Sequence, residues 1–386
     1  MNNFFVIVLD GVGIGELPGA DQYGDEGSDT LTHIAEAVDG LNLKNLERLG
    51  LGNIKFVKGI KEESKPLASF GKMKEISKGK DSTTGHWEIS GLYVDLEFSY
   101  FPEGFPKELI GRFERLTNVD GVLGNKAASG TEIIKELGDE HCKTGFPIIY
   151  TSADPVFQIA AHEEIIPLKR LYEICEITRK KVLVPPVIIG RVIARPFIGG
   201  TGNYARTVNR KDFSLDPPSD TILDVLKFNN IHTVSVGKVA DLFNYRGIDT
   251  AIKTESNKKG MESLMKLTRE VENSFIFTNL VDFDVYFGHR NDPFGFAKAL
   301  LEFDNFLTDF LSSLDESDLL IITADHGNDP TTASTDHSRE YVPLLFYGKK
   351  MEPKKLGIRK TFSDVGKTVA DFYKVENNLR GTSFLY

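Results

Sequence analysis

Three apolar runs in this chain end directly in side chains that can bind metal ions, and this feature constrains the fold most strongly. The runs cover residues 4–9, 275–281 and 319–324. Short apolar runs bounded by turn residues are typical of strands buried in a parallel sheet. The carboxyl ends of such strands share one edge, where ligands bind, so the polar residues after them are expected to converge. Those residues are Asp10, Asp282, Asp284, Asp325 and His326.

A carboxylate and an imidazole at a strand end need partners that offset their desolvation. Two interpretations fit Asp325 and His326 alone: a helix N-cap beside a hydrogen-bonded histidine, or the ligands of a divalent ion. The other strand ends favour the ion, and the five-residue spacing to His289 selects Asp284 over Asp282. Three carboxylates and three imidazoles suit two divalent ions, for which Mn²⁺ and Zn²⁺ are the natural candidates. The predicted ligands are Asp10, Asp284, His289, Asp325, His326 and His337.

Charge and cysteine content limit the partners and the compartment. The chain has 386 residues, a formal net charge of -10 and a pI near 5.4, which argues against nucleic acid or an anionic membrane as a partner. Cys142 and Cys175 are too few for a disulfide framework, which indicates a reducing compartment. The first apolar run is six residues long, follows no basic region and does not resemble a signal peptide, and no membrane span is found. We therefore expect a cytoplasmic protein.

Strand and helix signals alternate at both ends of the chain, which is typical of an α/β fold with a mostly parallel sheet. A helix is predicted after Ser28 and Asp29, and the pattern returns near residue 219, where PPSD is expected to cap the next helix. A long helix is predicted after Pro293, because apolar residues recur at steps of four and three and form one core-facing stripe. The stripe contains Phe296, Leu300, Phe303, Leu307, Phe310 and Leu314.

The pattern changes between residues 98 and 218, where proline-rich segments flank shorter elements. Such segments are typical of domain boundaries, so we predict an inserted, smaller α+β cap domain at 98–218 and a catalytic core at 1–97 and 219–386. The insert contains one basic stretch, GRVIARPFIGGTGNYARTVNRK at 190–211. Two interpretations remain open for it: a solvated edge strand, or a group of guanidinium side chains that binds a phosphate dianion.

Residues 79–91, GKDSTTGHWEISG, form a predicted loop dense in hydroxyl groups. Such hydroxyls often do no more than bond their own backbone in a turn. Beside a metal site, however, an ion can lower the pKa of a hydroxyl and make it a nucleophile. The candidates are Ser82, Thr83 and Thr84.

These motifs together resemble the bacterial phosphopentomutases, which belong to the alkaline phosphatase superfamily. The resemblance runs in order from LDGVGIGE through GKDSTTGHWE, YTSADPVFQIAAHEE, GRVIARPFIG, LVDFDVYFGHR and TADHGNDP to TDHSREYVPLL. It implies an alkaline-phosphatase-like three-layer core with an inserted cap and two Mn²⁺ ions. One ion would be held by Asp10, Asp325, His326 and the nucleophile, and the other by Asp284, His289 and His337.

The resemblance places the nucleophile at Ser82, where most members have threonine, so Thr83 and Thr84 stay open. It also implies substrate-phosphate roles for Arg191, Arg206 and Lys238, and a sugar- or phosphate-facing role for Asp154. Lys238 follows a strand predicted at 232–237, so it is independently expected at the same sheet edge.

The implied reaction interconverts α-ribose 1-phosphate and ribose 5-phosphate, or their 2-deoxy equivalents, and would link nucleoside breakdown to pentose phosphate metabolism. A phosphorylated Ser82 would pass its phosphoryl group to the sugar, and a trace of sugar bisphosphate, such as ribose 1,5-bisphosphate or glucose 1,6-bisphosphate, would charge it. The oligomeric state is not predicted. Alternative functions are a phosphatase or phosphoglycerate mutase on the same core, or a non-catalytic nucleotide- or metal-binding protein. A dinucleotide site is disfavoured because GVGIGE has Glu16 where a third glycine is required.

Overall fold

The computed structural model describes residues 2–94, 98–152 and 155–385. The chain divides into two compact units, one formed by residues 1–95 and 217–386 and the other by residues 96–216. We call them the core unit and the inserted unit. No helix within the described ranges is long and apolar enough to cross a membrane.

Strands and helices alternate through much of the chain. In chain order the strands are β1 Phe4–Leu9, β2 Ser69–Met73, β3 Leu123–Ala127, β4 Ile148–Thr151, β5 Val156–His162, β6 Arg191–Ile198, β7 Ala205–Arg206, β8 Lys211–Ser214, β9 His232–Val236, β10 Thr250–Ile252, β11 Ser274–Leu280, β12 Leu319–Thr323, β13 Val342–Tyr347 and β14 Lys355–Arg359. The helices are α1 Thr30–Ala37, α2 Lys44–Leu49, α3 Ser82–Ile89, α4 Lys107–Thr117, α5 Gly130–Thr144, α6 Leu168–Ile177, α7 Ile222–Phe228, α8 Val239–Leu242, α9 Asn257–Glu270, α10 Pro293–Ser313 and α11 Ser363–Phe372.

The core unit is built on an eight-stranded sheet in the order β10-β9-β11-β1-β12-β13-β2-β14. The five strands from β10 to β12 run parallel, whereas β13 is antiparallel to both of its neighbours. The predicted α/β fold with a mostly parallel sheet is therefore confirmed. The antiparallel β13 was not foreseen, because an apolar strand of this kind carries no sequence signal for its direction.

Strand β1 is buried along its whole length, which places it at the centre of three layers. Successive side chains of a strand point to opposite faces. The ring of Phe4 packs edge-on against Phe372 of α11, at 5.2 Å between centroids, and that of Phe5 packs against Phe310 of α10, at 5.5 Å. Helices therefore cover both faces of the sheet.

Helix α10 confirms the predicted apolar stripe. Pro293 is its first residue, a position where the missing N–H of proline costs no helix hydrogen bond. The side chain of Asp292 is the N-cap and accepts a hydrogen bond from the N–H of Gly295. The predicted stripe residues are buried, and Leu314, which lies just beyond the helix end, is buried as well.

Two local predictions are wrong. Residues 79–91 are not a simple loop, because residues 82–89 form α3, and Asp81 caps it by accepting from the N–H groups of Thr83 and Thr84. The helix at 222 is capped by Thr221 rather than by the preceding PPSD, since both the N–H and the hydroxyl of Thr221 donate to Asp224. A carboxylate decides the helix start in both cases: that of the N-cap residue itself in α3, and that of Asp224, three residues after the N-cap, in α7.

The inserted unit has its own sheet, in the order β3-β4-β5-β6-β7, with β8 paired to β6. Helices α4 and α6 pack on one face of this sheet, where Phe105 and Phe113 stack around Phe157. Helix α5 packs on the other face against Tyr150 and Phe197. The unit therefore contains buried apolar clusters of its own.

Candidate metal centre

The parallel strands β1, β11 and β12 bring the predicted carboxylates to one edge of the core sheet. Strand β1 lies between the other two, and the N–H of Asp10 still donates to the carbonyl of Leu280 at the end of β11. Asp325 follows β12 after one intervening residue, and its carboxylate accepts from the N–H of Gly11 at 3.2 Å. Residues over 300 positions apart are thus neighbours because their strands are.

Asp10, Asp325 and His326 form a first group of potential ligands whose donor atoms lie within 4.8 Å of one another. Nε2 of His326 is 3.3 Å from Oδ1 of Asp10 and 3.5 Å from Oδ2 of Asp325. All three side chains are almost completely buried. Burial opposes charge on Asp325, but electrostatic interactions with the imidazoles of His326 and His86, together with hydrogen bonds from His86 and the N–H of Gly11, lower the pKa of Asp325 to about 2.

A second group is formed by Asp284, His326 and His337. Oδ1 of Asp284 is 3.5 Å from Nε2 of His337, and Oδ2 is 3.2 Å from Nε2 of His289. The hydrogen bond to Asp284 raises the pKa of His289 to about 9. The structure thus brings all six predicted ligands together, and it places His326 in both groups rather than in one.

The donor set fits divalent cations. Oδ1 of Asp10, Oδ2 of Asp325 and Nε2 of His337 are buried and contact charged or imidazole groups of the centre, but none of the three makes a hydrogen bond of good geometry. A buried carboxylate oxygen or imidazole nitrogen left without a partner is costly, and a cation would offset this cost. Mixed carboxylate and imidazole ligands suit Mn²⁺ and Zn²⁺.

Ser82 reaches this centre because it is the first residue of α3. Its Oγ lies 3.2 Å from Nε2 of His326 and 3.4 Å from Nζ of Lys238, and the side chain is buried. Thr84 instead turns its hydroxyl back to the carbonyl and carboxylate of Asp81. Lys238 lies just beyond β9, as the sequence predicted.

Asp282 does not join the centre, which agrees with the selection of Asp284. The carboxylate of Asp282 accepts from the N–H of Asn257, while the N–H of Asp282 donates to the side chain of Asn257. This reciprocal pair links the end of β11 to the start of α9.

Sequence reasoning missed the residues that hold the candidate ligands. Asn279 donates to Oδ2 of Asp10 at 3.0 Å and lies 3.1 Å from Nε2 of His86, whose Nδ1 is 3.0 Å from Asp325. Asn328 donates to Oδ1 of Asp284 at 2.6 Å. The available signals were an asparagine inside an otherwise apolar strand and another directly after the ADHG segment. Such supporting bonds fix the orientation of metal ligands.

Two predicted substrate residues lie in the inserted unit, and a third is not described. Arg191 begins β6, with Nη1 3.6 Å from Oδ2 of Asp212. Arg206, on β7, lines a cavity of about 480 Å³ together with Arg195 and Arg210. Asp154 lies outside the described residues.

Comparison with known proteins gives matches along the whole chain. A model of the metalloenzyme superfamily matches residues 2–377. Phosphopentomutase of Dictyoglomus thermophilum is 56% identical over 388 residues, which cover 100% of this chain and 98% of that protein. Phosphopentomutase of Clostridium acetobutylicum is 53% identical, with 98% of this chain and 97% of that protein covered.

Two solved structures share the fold at low sequence identity. A protein from Pyrococcus horikoshii superimposes with a TM-score of 0.52 at 17% identity, over 98% of this chain and 99% of that one. Leishmania mexicana phosphoglycerate mutase superimposes with a TM-score of 0.51 at 11% identity, over 100% and 98%. These two likenesses confirm the fold predicted for the core.

Proposed function

The chain belongs to the phosphopentomutase family of metalloenzymes and is an isomerase, and from this premise we propose that it acts through a phosphoserine at Ser82. The proposed reaction interconverts α-D-ribose 1-phosphate and D-ribose 5-phosphate, or the 2-deoxyribose equivalents. The observation that carries the proposal is the position of the Ser82 hydroxyl, buried beside His326 and within 3.4 Å of the Lys238 ammonium.

The chemical problem is to move a phosphoryl group between two sugar oxygens that cannot exchange it directly. A phosphorylated Ser82 donates its phosphoryl group to the free hydroxyl of the bound sugar: the bond from phosphorus to Oγ breaks as the bond to the sugar oxygen forms. The resulting bisphosphate turns around and returns its other phosphoryl group to Oγ. The enzyme ends the cycle phosphorylated, so no phosphate is consumed.

The residues around Ser82 suit this exchange. Two divalent ions, proposed to be Mn²⁺, would favour the deprotonated serine and neutralise charge on the transferring phosphoryl oxygens. Asp10, Asp325 and His326 are proposed to hold the ion next to Ser82, and Asp284, His289 and His337 the other. Lys238 places an ammonium group 3.4 Å from Oγ, where it would neutralise charge on the transferring phosphoryl group.

The phosphate that the substrate already carries needs a cationic site as well, because the phosphoryl group of Ser82 occupies the metal centre. In this acidic protein, the cavity of the inserted unit lined by Arg195, Arg206 and Arg210 supports such a role. Arg195 is oriented by a 3.1 Å hydrogen bond from Nε to Gln158, and Arg210 by two bonds to Asp212. Guanidinium groups bind phosphate bidentately, and three of them around one cavity support phosphate binding by this stretch.

A direct assay tests the function. Purified protein is supplied with ribose 1-phosphate, Mn²⁺ and a trace of glucose 1,6-bisphosphate, and ribose 5-phosphate and inorganic phosphate are both measured. We expect ribose 5-phosphate as the main product and no turnover of 3-phosphoglycerate. Inorganic phosphate as the dominant product would contradict the mutase and indicate a phosphatase.

A conservative arginine variant tests the inserted unit. Arg206→Lys keeps the charge but loses the bidentate fork, so the KM for ribose 5-phosphate should rise about tenfold, corresponding to a loss of about 1.4 kcal/mol. Arg170→Lys is the matched control, because Arg170 lies in the same unit and pairs with Glu173 on α6. Equal KM values for both variants and the unmodified protein would show that Arg206 does not bind the substrate phosphate.

A further inference from the structure

The segment that precedes Ser82 is hydrogen-bonded to a side chain of α3, the helix that begins at Ser82. Glu88, near the end of α3, is buried and accepts hydrogen bonds from the N–H groups of Ile76 and Ser77 at 2.7–3.0 Å. Oε1 of Glu88, which accepts from Ile76, also accepts from the hydroxyl of Thr361. These bonds attach the segment to α3 through its N–H groups. The carbonyl oxygens of the segment accept their hydrogen bonds from a different residue.

Arg339 supplies the second attachment, and it lies two positions after His337. Its Nη1 donates to the carboxylate of Glu75 at 2.8 Å, to the carbonyl of Ser77 at 2.6 Å and to the carbonyl of Gly79. Three acceptors from a five-residue segment thus converge on one guanidinium group. Nη1 carries two N–H groups, so two of these acceptors share one hydrogen, and Nη2 donates to the carbonyl of Glu75 at 3.4 Å, a second contact that a lysine ammonium in the place of Nη1 would lack.

Arg339 is itself fixed on its other sides. Its backbone N–H donates to Asp25 at 3.0 Å, and its guanidinium lies over the ring of Tyr23, 4.9 Å from the centroid. The side chain is 11% exposed, and that of its partner Glu75 is 3% exposed. These contacts fix the position of the guanidinium group, and the guanidinium group in turn fixes the segment before Ser82 that bonds to it.

We propose that Arg339 is a positioning residue for phosphoryl transfer, because it joins the segment carrying His337 to the segment that ends in Ser82. A second link runs between the same two segments, where Nζ of Lys80 lies 3.4 Å from Oδ2 of Asp336. The inference rests on the proposed function of Ser82 and adds a residue that touches neither substrate nor ion. A reacting oxygen displaced by about 1 Å can cost about a hundredfold in rate.

Removal of the guanidinium group tests this role. Arg339→Met should lower kcat about a hundredfold with the KM for ribose 5-phosphate unchanged, and it should slow the phosphorylation of Ser82 by glucose 1,6-bisphosphate in the same proportion. Arg339→Lys should recover only part of kcat. The assays are run below the melting temperature of each variant, so that only folded protein is compared.

A double variant separates position from stability. Arg339→Met leaves Glu75 buried without its partner, so the variant is expected to melt at a lower temperature. The double variant Glu75→Gln/Arg339→Met replaces the unpaired carboxyl group with a neutral amide. We therefore expect its melting temperature to recover while kcat stays low. Wild-type kcat in the double variant would overturn the proposal.

A matched arginine provides the control. Arg359 also pairs with a buried carboxylate, Asp364, donates to a backbone carbonyl and lies over an aromatic ring, that of Phe384. Arg359→Met should lower the melting temperature and leave kcat unchanged; an equal loss of kcat would overturn a specific role for Arg339. Absence of pentomutase turnover in the unmodified protein would contradict the proposed function instead.

Discussion

Oγ of Ser82 lies 3.2 Å from Nε2 of His326, although 244 positions separate the two residues. The contact forms because α3 begins beside the end of β12, so the first hydroxyl of the helix faces the first imidazole after the strand. Thr83 and Thr84 occupy other sides of the helix, and Thr84 bonds to Asp81. The geometry therefore favours Ser82 as the nucleophile among the three hydroxyls.

Replacing Ser82 with alanine should abolish pentomutase turnover, with a loss of at least about a thousandfold, because among the three candidate hydroxyls only that of Ser82 contacts His326 and Lys238. Ser82→Thr should keep substantial activity, since it retains a hydroxyl at this position. Mass spectrometry after incubation with glucose 1,6-bisphosphate should locate phosphate on Ser82.

Thr83→Ala is the matched control and should keep its activity and its phosphorylation. Phosphate found on Thr83 or Thr84 in the unmodified protein would identify that threonine, instead of Ser82, as the nucleophile. Full turnover by Ser82→Ala would contradict the phosphoserine mechanism itself.

Metal removal should stop turnover and destabilise the protein. Ions that bind only the folded state stabilise it by about 2.7 kcal/mol at a concentration of 100 times Kd, so the melting temperature should rise when Mn²⁺ is added to chelated protein. Calorimetric titration should give two ions per chain, and Asp10→Asn should lose one of them.

Asp304→Asn is the control for this titration. Asp304 is a buried carboxylate of the core unit that accepts from the N–H groups of Asn45 and Leu46, so its loss should cost stability but no ion. Full activity after exhaustive chelation would contradict a metal-dependent site.

The strand ends could be predicted from sequence because each signal is local. Residues 4–9 and the helix after Pro293 carry one uninterrupted hydrophobic pattern each, and the structure follows both. The choice of Asp284 over Asp282 depended on the spacing to His289, and the structure places Asp284 within 3.2 Å of that histidine. Patterns of this kind specify which face or end of an element is polar.

The supporting bonds could not be predicted because their partners are far apart in sequence and depend on tertiary packing. Asn279 meets Asp10 only through the pairing of β11 with β1, and Arg339 meets Glu75 across 264 positions. Helix α3 was interpreted as a loop because its serine and threonines have low helix propensity, whereas the cap at Asp81 decides its start.

The pair formed by Asp284 and His289 predicts how the stability of metal-free protein depends on pH. The pKa of His289 is raised to about 9 by its hydrogen bond to Asp284, above a value of about 6.5 in the unfolded chain. The pair therefore contributes fully below about pH 6.5, and its contribution is lost as the pH rises through about 9. Since His289 is 35% exposed, screening reduces the contribution to the free energy of unfolding to on the order of 1 kcal/mol.

Thermal melting of chelated protein across this pH range measures the effect. His289→Asn cannot be protonated, so its melting temperature should decline less between about pH 6.5 and about pH 9. An identical decline in both proteins would assign the pH dependence to other groups.

The inserted unit should fold on its own, which would make the predicted cap an independent domain. Residues 96–216 are one continuous stretch of the chain, and its strands, so far as the structure describes them, pair only with one another. Its aromatic cluster centres on Phe157. A domain of this size is expected to unfold cooperatively with a free energy of about 5–15 kcal/mol. Phe157→Ala should remove about 3–5 kcal/mol of it, because the ring is fully buried between Phe105 and Phe113. Urea denaturation of the isolated segment, followed by circular dichroism, distinguishes the outcomes: a gradual change without a transition would mean that the unit depends on the core to fold.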